Sequence, residues 1–239
     1  MSNSDFSSGA GAQRSKGEFR DDKNMDSIMK ELFEIAKGET TDRSIPDIYN
    51  RMLDKVRVQM VTKDGNSDRL AELPHIDMLD MAAVFRVVVP GDESTVSTAV
   101  TNSLLRRFNV TPEKFRQDAL LAAEANNPVR IEGLGNVLNG LENREDDPYD
   151  SPLVFAGTRD QMWGAGVMAY PKFMEEAAQR IGGDFFLLPS SVHEVLLLPD
   201  DGTIEADYLK ELVTTVNMTE VAPEERLTNN AYHYVLLIS

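Results

Sequence analysis

Four polar residues that follow a proline are the best candidates for chemistry in this sequence. Ser190, Ser191, His193 and Glu194 come directly after Pro189, between two apolar runs. A serine hydroxyl becomes a nucleophile when an imidazole takes its proton and a carboxylate orients that imidazole. These residue types therefore suggest a serine hydrolase that uses Ser190 or Ser191 together with His193.

Strand geometry argues against a complete catalytic triad at this corner. The apolar run Val192–Leu198 predicts a buried β-strand that begins at Ser191. Ser191 and His193 would share one face of it, and Glu194 would point to the other. Same-face neighbours lie about 6.5 Å apart, too far for a hydrogen bond between serine and imidazole. We expect serines that cap a strand corner and a hydrogen-bonded, partly buried His193, with the Ser191–His193 pair as the alternative.

The histidines and glycines match no established metal or cofactor motif. The region from His193 begins like a zinc-protease helix, but Leu197 stands where the second histidine is required. His75 and His233 are isolated in sequence, although three histidines brought together by the fold stay open as a site. The glycines of Gly133–Gly140 do not have the dinucleotide-binding spacing. The sequence therefore predicts no metal and no cofactor.

Composition limits the classes of function that the chain can have. With 239 residues and 41% hydrophobic content, the chain can bury a sizeable core. It has no cysteine, which excludes disulfides, thiolate metal ligands and a cysteine nucleophile. Its net charge of -16 disfavours binding to phosphate backbones, but allows an acidic mimic of nucleic acid. Because no signal-peptide core or membrane-length apolar run is visible, we expect a cytoplasmic protein without membrane contact.

Apolar periodicity and turn residues predict an α+β fold. Helices are expected over 25–37, 44–55, 68–73, 102–108, 111–126 and 171–181, and after a cap at 200–203. Strands are expected at 56–60, 84–89, 96–100, 129–131, 153–156, 165–170, 185–188, 192–198 and 231–238. Because short turns join successive strands, the sheets should be mainly antiparallel, built from hairpins with flanking helices.

Domain organisation follows from where apolar residues are scarce. Residues 1–24 are rich in Ser, Gly and Asp, which predicts a disordered tail. Residues 25–239 should form a single domain, and the Gly- and acid-rich stretch 133–150 allows an alternative of two lobes joined there. The only tryptophan, Trp163, is expected to cover a hairpin end, with an exposed ligand anchor as the alternative.

Several short blocks of the sequence carry a family resemblance. The most specific is Leu-Pro-Ser-Ser-x-His-Glu-Val at 188–195, and the others lie at 73–80, 100–104, 119–126, 216–217 and 221–227. Together they resemble a large family of gut-Firmicutes proteins that is described only as a domain of unknown function. The similarity covers residues 25–235 and departs at 154–158, where a Thr-Asn turn is expected, and at the apolar 235–238 end. The resemblance implies a bacterial, cytoplasmic α+β protein, often encoded near mobile elements, and implies no reaction.

The sequence thus favours a non-enzymatic binding or regulatory protein with a protein partner. No catalytic constellation is complete, so we expect the function to reside in a surface beside the 189–194 corner. The alternatives are a small hydrolase using Ser191 and His193, and an acidic nucleic-acid mimic. The residues expected to bind are Pro189, Ser190, Ser191, His193, Glu194 and His75.

Overall fold

The computed structural model describes residues 27–39, 43–90, 95–134 and 152–236. The predicted tail at 1–24 and most of the predicted connection at 133–150 lie outside these ranges. The helices are α1 (Ser27–Lys37), α2 (Ile45–Leu53), α3 (Ser67–Glu72), α4 (Asn102–Phe108), α5 (Pro112–Asn126), α6 (Phe173–Ile181) and α7 (Ala206–Thr219). The same ranges contain two 3₁₀-helices, Gly164–Ala169 and Pro223–Glu225. None of the helices in the described ranges is both long and apolar enough to cross a membrane.

The strands form two antiparallel sheets, which confirms the predicted α+β fold. In the first sheet β3 lies between β1 on one side and both β2 and β4 on the other. In the second sheet the order is β5-β6-β8-β7-β9. The strands are β1 (Val56–Thr62), β2 (His75–Met78), β3 (Met81–Pro90), β4 (Thr95–Ala99), β5 (Val129–Gly133), β6 (Val154–Thr158), β7 (Phe185–Leu188), β8 (Val195–Pro199) and β9 (Tyr232–Tyr234).

One hydrophobic core contains residues of both sheets. Phe85 on β3 packs edge-on against Phe115 of α5, with 5.2 Å between the ring centroids. Phe173 of α6 and Leu197 of β8 belong to the same buried cluster. Leu209 of α7 belongs to a separate cluster with side chains of β7 and β8. Burial of these large side chains is the main favourable contribution to folding.

The predicted helix starts are confirmed by their capping hydrogen bonds. The Ser44 hydroxyl accepts the backbone N–H of Asp47 at 3.3 Å, and Pro46 occupies the first turn of α2. The Thr111 hydroxyl accepts the backbone N–H of Lys114 at 3.2 Å at the start of α5. These caps satisfy backbone donors that have no partner within the helix, so they were readable from sequence.

The strand predicted over 165–170 is wrong, because Gly164–Ala169 forms a 3₁₀-helix. A methyl group added at Gly166 would lie 2.2 Å from the carbonyl oxygen of Val58, and one at Gly164 would lie 2.1 Å from that of His193. The two glycines therefore let this short helix pack directly against the backbone of β1 and of the 189–194 corner. Tertiary packing outweighs the local β-propensity of the segment.

The helix and strand boundaries near the C-terminus also differ from the prediction. The side chains of Asp200 and Asp201 accept backbone N–H groups within their own turn, and α7 begins only at Ala206. Two apolar side chains of α7, those of Tyr208 and Leu212, are 60% and 42% exposed. The predicted terminal strand is reduced to Tyr232–Tyr234, and its expected end at 237–238 lies outside the described ranges.

Candidate functional site

The serine corner is a turn and not the start of a strand. β8 begins only at Val195, so the predicted strand from Ser191 to Leu198 is wrong at its N-terminal end. The Ser191 hydroxyl donates to Oε1 of Glu194 at 2.8 Å and accepts the backbone N–H of His193 at 3.1 Å. The turn brings Ser191 and Glu194 together, although strand alternation predicted opposite faces for them.

The His193 imidazole has a different partner. Its Nε2 lies 3.1 Å from Oε1 of Glu225, and the His193 side chain is 45% exposed. The hydroxyl of Ser191 instead donates to Glu194, so the structure does not assemble the Ser191–His193 pair that a hydrolase would use. Activation of a serine requires a base within hydrogen-bonding distance of its hydroxyl.

The corner joins two other segments through its backbone. The N–H of Leu227 donates to the carbonyl of Ser190 at 3.1 Å, and the N–H of Val192 donates to that of Glu225 at 2.9 Å. On the other side, the N–H of Ala165 donates to the carbonyl of Val192 at 3.3 Å. The corner thus connects the first 3₁₀-helix with segment 223–227, and Ser190 is 8% exposed. These hydrogen bonds give the Leu-Pro-Ser-Ser block a structural role, because they connect the two segments through buried backbone groups.

Each of the other two histidines also has a contact partner of its own. Nδ1 of His75 lies 3.0 Å from the carbonyl oxygen of Leu73. Nε2 of His233 lies 2.9 Å from Oδ2 of Asp200, and its ring stacks on Phe186 at 4.7 Å. Within the described ranges, no group of three or more His, Asp or Glu residues could hold a metal ion.

An arginine and the only tryptophan meet directly beside this corner. Gly164 packs against the carbonyl of His193, which fixes the preceding Trp163 next to the corner. Trp163 adopts a left-handed backbone conformation with φ of 49°, and its side chain is half-buried. The guanidinium carbon of Arg86 lies 5.2 Å from the centre of the Trp163 ring, within cation–π range.

Arg86 lies on β3, on the face opposite the core. Its Nε and Nη2 donate to the hydroxyl of Ser97 at 3.1 and 2.9 Å, and Nη2 reaches the Ser97 carbonyl at 3.3 Å. No carboxylate in the described ranges forms an ion pair with Arg86, although the side chain is half-buried. Burial lowers the pKa of Arg86, and the positive charge of Arg69 on α3 lowers it further. Arg86, Trp163, Ser97 and Arg69 are called the arginine–tryptophan face below.

Asp160, an acidic residue close to Arg57, is already paired. Arg57 stands opposite Arg86 in the β1–β3 register, and its Nε lies 2.8 Å from Oδ2 of Asp160. Asp160 also accepts the side-chain amide of Asn127 at 2.7 Å. Burial alone would raise the pKa of Asp160, but the hydrogen bonds from Arg57, from a backbone N–H and from Asn127 lower it overall. Its charge is therefore committed to Arg57 and leaves Arg86 uncompensated.

A groove between α2 and α5 contains polar side chains that already have partners. It has a volume of about 400 Å³. The Tyr49 hydroxyl at this groove donates to Asp118 at 2.9 Å, and Lys114 also pairs with Asp118. Burial is the main cause that raises the pKa of Tyr49, with help from Asp118. Tyr49, Lys114 and Asp118 are thus paired with one another.

Sequence reasoning singled out the corner but missed Arg86. The available signal was a lone arginine within the apolar run of β3, where a charged side chain needs a specific reason. The prediction that Trp163 covers a hairpin end did not anticipate that it lies beside this arginine. Its alternative role as a ligand anchor stays a prediction. The binding roles expected for Pro189, Ser190, Ser191, His193, Glu194 and His75 also stay predictions.

The comparison with protein families identifies the chain. Residues 17–235 match the model of the family of unknown function DUF5688, so the protein belongs to that family. The resemblance to a domain of unknown function is therefore confirmed, with a match that begins earlier than residue 25. No curated protein and no solved structure shows significant similarity to the chain.

Proposed function

We propose that this DUF5688 protein is a bacterial, cytoplasmic, non-enzymatic binding protein that recognises a protein partner through the arginine–tryptophan face. The observation that carries the proposal is Arg86, a half-buried cation without a carboxylate partner in the described ranges of a chain with net charge -16. Burying a charge without an opposite charge is costly, and the anionic group of a ligand would supply the opposite charge that Arg86 lacks.

The composition of the face also supports protein recognition. Tryptophan and arginine are the residues most enriched where protein interfaces concentrate their binding energy. The face lies next to the corner, whose backbone is fixed by hydrogen bonds on both sides. A rigid frame holds Trp163 and Arg86 in place before the partner arrives, which reduces the entropy that binding must overcome.

Site-specific photo-crosslinking in the source organism tests this function. A benzoylphenylalanine replaces Arg159, an exposed residue in the turn that leads to Trp163, and in a matched protein it replaces Lys210, which is exposed on α7. We expect irradiation to give one discrete adduct from position 159 and none from position 210. No adduct at 159, or the same adducts from both positions, would contradict binding through this face.

A further inference from the structure

We infer that the arginine–tryptophan face binds an oxyanion, a carboxylate or a phosphate, presented by an acidic segment of a protein partner. The inference rests on the proposed function, because it names the chemistry that the same face recognises. Its evidence is that Arg86 has N–H groups without an acceptor and a positive charge without a carboxylate partner in the described ranges.

The donors of Arg86 are only partly used. A guanidinium carries five N–H groups. The hydrogen bonds to Ser97 come from Nε and Nη2, so both N–H groups of Nη1 are without an acceptor in the described ranges. Ser97 therefore holds the guanidinium through Nε and Nη2, which leaves the Nη1 donors for a ligand. Charge-assisted hydrogen bonds to an oxyanion are the strongest that this group can form.

Trp163 and the burial of Arg86 strengthen such a contact. The indole ring, 5.2 Å from the guanidinium carbon, covers one side of the cation and keeps water from it. Electrostatic attraction between an arginine and an anion increases when water is excluded around them. The face should therefore bind an anion more tightly than an exposed arginine does.

Arg69 supplies a second positive charge. It lies on α3, whose Leu70 packs with Ala82 and Val84, two β3 residues on the same side of the sheet as Arg86. Arg69 is exposed and forms no hydrogen bond or ion pair in the described ranges. Two neighbouring cations repel each other, and an anion beside both would turn this repulsion into attraction. A ligand group with more than one charged oxygen suits this pair.

The charge of the whole chain selects among anionic ligands. A net charge of -16 repels long polyanions, such as nucleic acids and acidic membrane surfaces, over the whole protein surface. A short acidic peptide segment meets this repulsion less, because it carries few charges and would contact only the surroundings of Arg86 and Arg69. The favoured source of the oxyanion is therefore an acidic or phosphorylated segment of a protein.

Fluorescence of Trp163 gives a direct readout, since it is the only tryptophan in the chain. The full-length protein is titrated at low ionic strength with hexaglutamate, hexaglutamine, inorganic phosphate and a hexamer of single-stranded DNA. We expect a saturable change with hexaglutamate and none with hexaglutamine. Phosphate should compete with hexaglutamate, and added salt should weaken binding because it screens the charges. A DNA hexamer that binds more tightly than hexaglutamate would overturn the choice of a protein segment.

Arginine variants link this signal to the face. Arg86→Gln should weaken hexaglutamate binding about 10-fold or more, and Arg69→Glu about 10-fold, since each loses a charge-assisted contact. Arg106→Gln, at an exposed arginine on α4, is the matched control and should bind as the wild type does. If Arg86→Gln fails to fold by circular dichroism, Arg69→Glu alone decides the result, because Arg69 is exposed.

The outcomes separate the inference from the proposed function. If hexaglutamate does not bind, or if Arg69→Glu and Arg106→Gln weaken its binding equally, the inference that this face binds an oxyanion is overturned. Phosphate binding without hexaglutamate binding also overturns it, because the ligand would then be a free anion. If the photo-crosslinked adduct nevertheless forms at position 159, the binding function stands and only its ligand chemistry is wrong.

Discussion

Replacing Asp80 with alanine should destabilise the protein by releasing its C-terminal segment. Asp80 lies in the turn between β2 and β3, and its carboxylate accepts the hydroxyl of Thr228 at 2.7 Å and the amide of Asn230 at 2.9 Å. It also accepts the hydroxyl of Tyr232 on β9. One carboxylate thus connects the first sheet with a strand of the second sheet.

The expected loss of stability in Asp80→Ala depends on how far solvent can reach the hydrogen bonds of Asp80. A hydrogen bond to a charged group contributes about 1.5 to 3 kcal/mol when water cannot replace it. Asp80 is exposed, so solvent replaces much of each lost bond. We therefore expect Asp80→Ala to lower the free energy of unfolding by about 2 kcal/mol in total. Urea denaturation followed by far-UV circular dichroism measures this value.

Asp77→Ala is the matched control, because Asp77 is an exposed carboxylate on the neighbouring β2. Its partner in the described ranges is Lys63, at 2.8 Å. Exposed ion pairs contribute little to stability, so this variant should lose clearly less than Asp80→Ala. Equal losses in the two variants would refute the role of Asp80.

The pH dependence provides a second check on Asp80. Burial alone would raise the pKa of Asp80, but the hydrogen bonds from Tyr232, Thr228 and Asn230 outweigh it and lower the pKa. A carboxylate with a lowered pKa stabilises the fold above its ordinary pKa and loses this effect as the pH falls through the folded value. The difference between wild type and Asp80→Ala should therefore shrink in acid, and a difference independent of pH would count against this reasoning.

Three further variants test the structural roles assigned above. Gly166→Ala should lower the melting temperature strongly, because its methyl group would lie 2.2 Å from the carbonyl oxygen of Val58, whereas Gly183→Ala, which meets nothing within 4 Å, should not. Ser191→Ala should cost about 1 to 3 kcal/mol of unfolding free energy, since it removes one bond donor and one acceptor from the corner. A fluorophosphonate probe that labels the wild type but not Ser191→Ala would show instead that this serine is a nucleophile. His193→Ala removes an exposed contact with Glu225 and should leave the urea midpoint nearly unchanged.

Local chemistry explains which parts of the fold were predictable from sequence. The caps at Ser44 and Thr111 act within one helical turn, so their residue types were sufficient to locate α2 and α5. The pairing of β3 with β4 also followed from two β-branched runs separated by a turn.

Contacts between distant segments explain the errors. The turn that joins β2 to β3 has no glycine: Leu79 adopts φ of 58°, so the usual turn signal was missing and β2 was not predicted. Gly164 and Gly166 permit close approach to backbone that lies far away in sequence, which no local pattern reveals.

The candidate site was only partly predictable for the same reason. Arg86 is conspicuous within an apolar strand, and Trp163 is conspicuous as the only tryptophan. Their meeting depends on how the first 3₁₀-helix packs beside β1 and the corner. The apparent triad at the corner followed from sequence proximity, whereas the fold gives Ser191 and His193 separate acidic partners.

Nuclear magnetic resonance of the labelled side chains tests the central claim most directly. The spectrum of the ¹⁵N-labelled protein contains one indole signal, from Trp163, and the Nε–H signal of Arg86 is identified by its loss in Arg86→Lys. On addition of hexaglutamate, both signals should shift together and saturate at one concentration, while the Nε–H of Arg57, which is paired with Asp160, stays in place. An indole signal that does not move, or that moves equally in Arg86→Lys, would contradict binding at the arginine–tryptophan face.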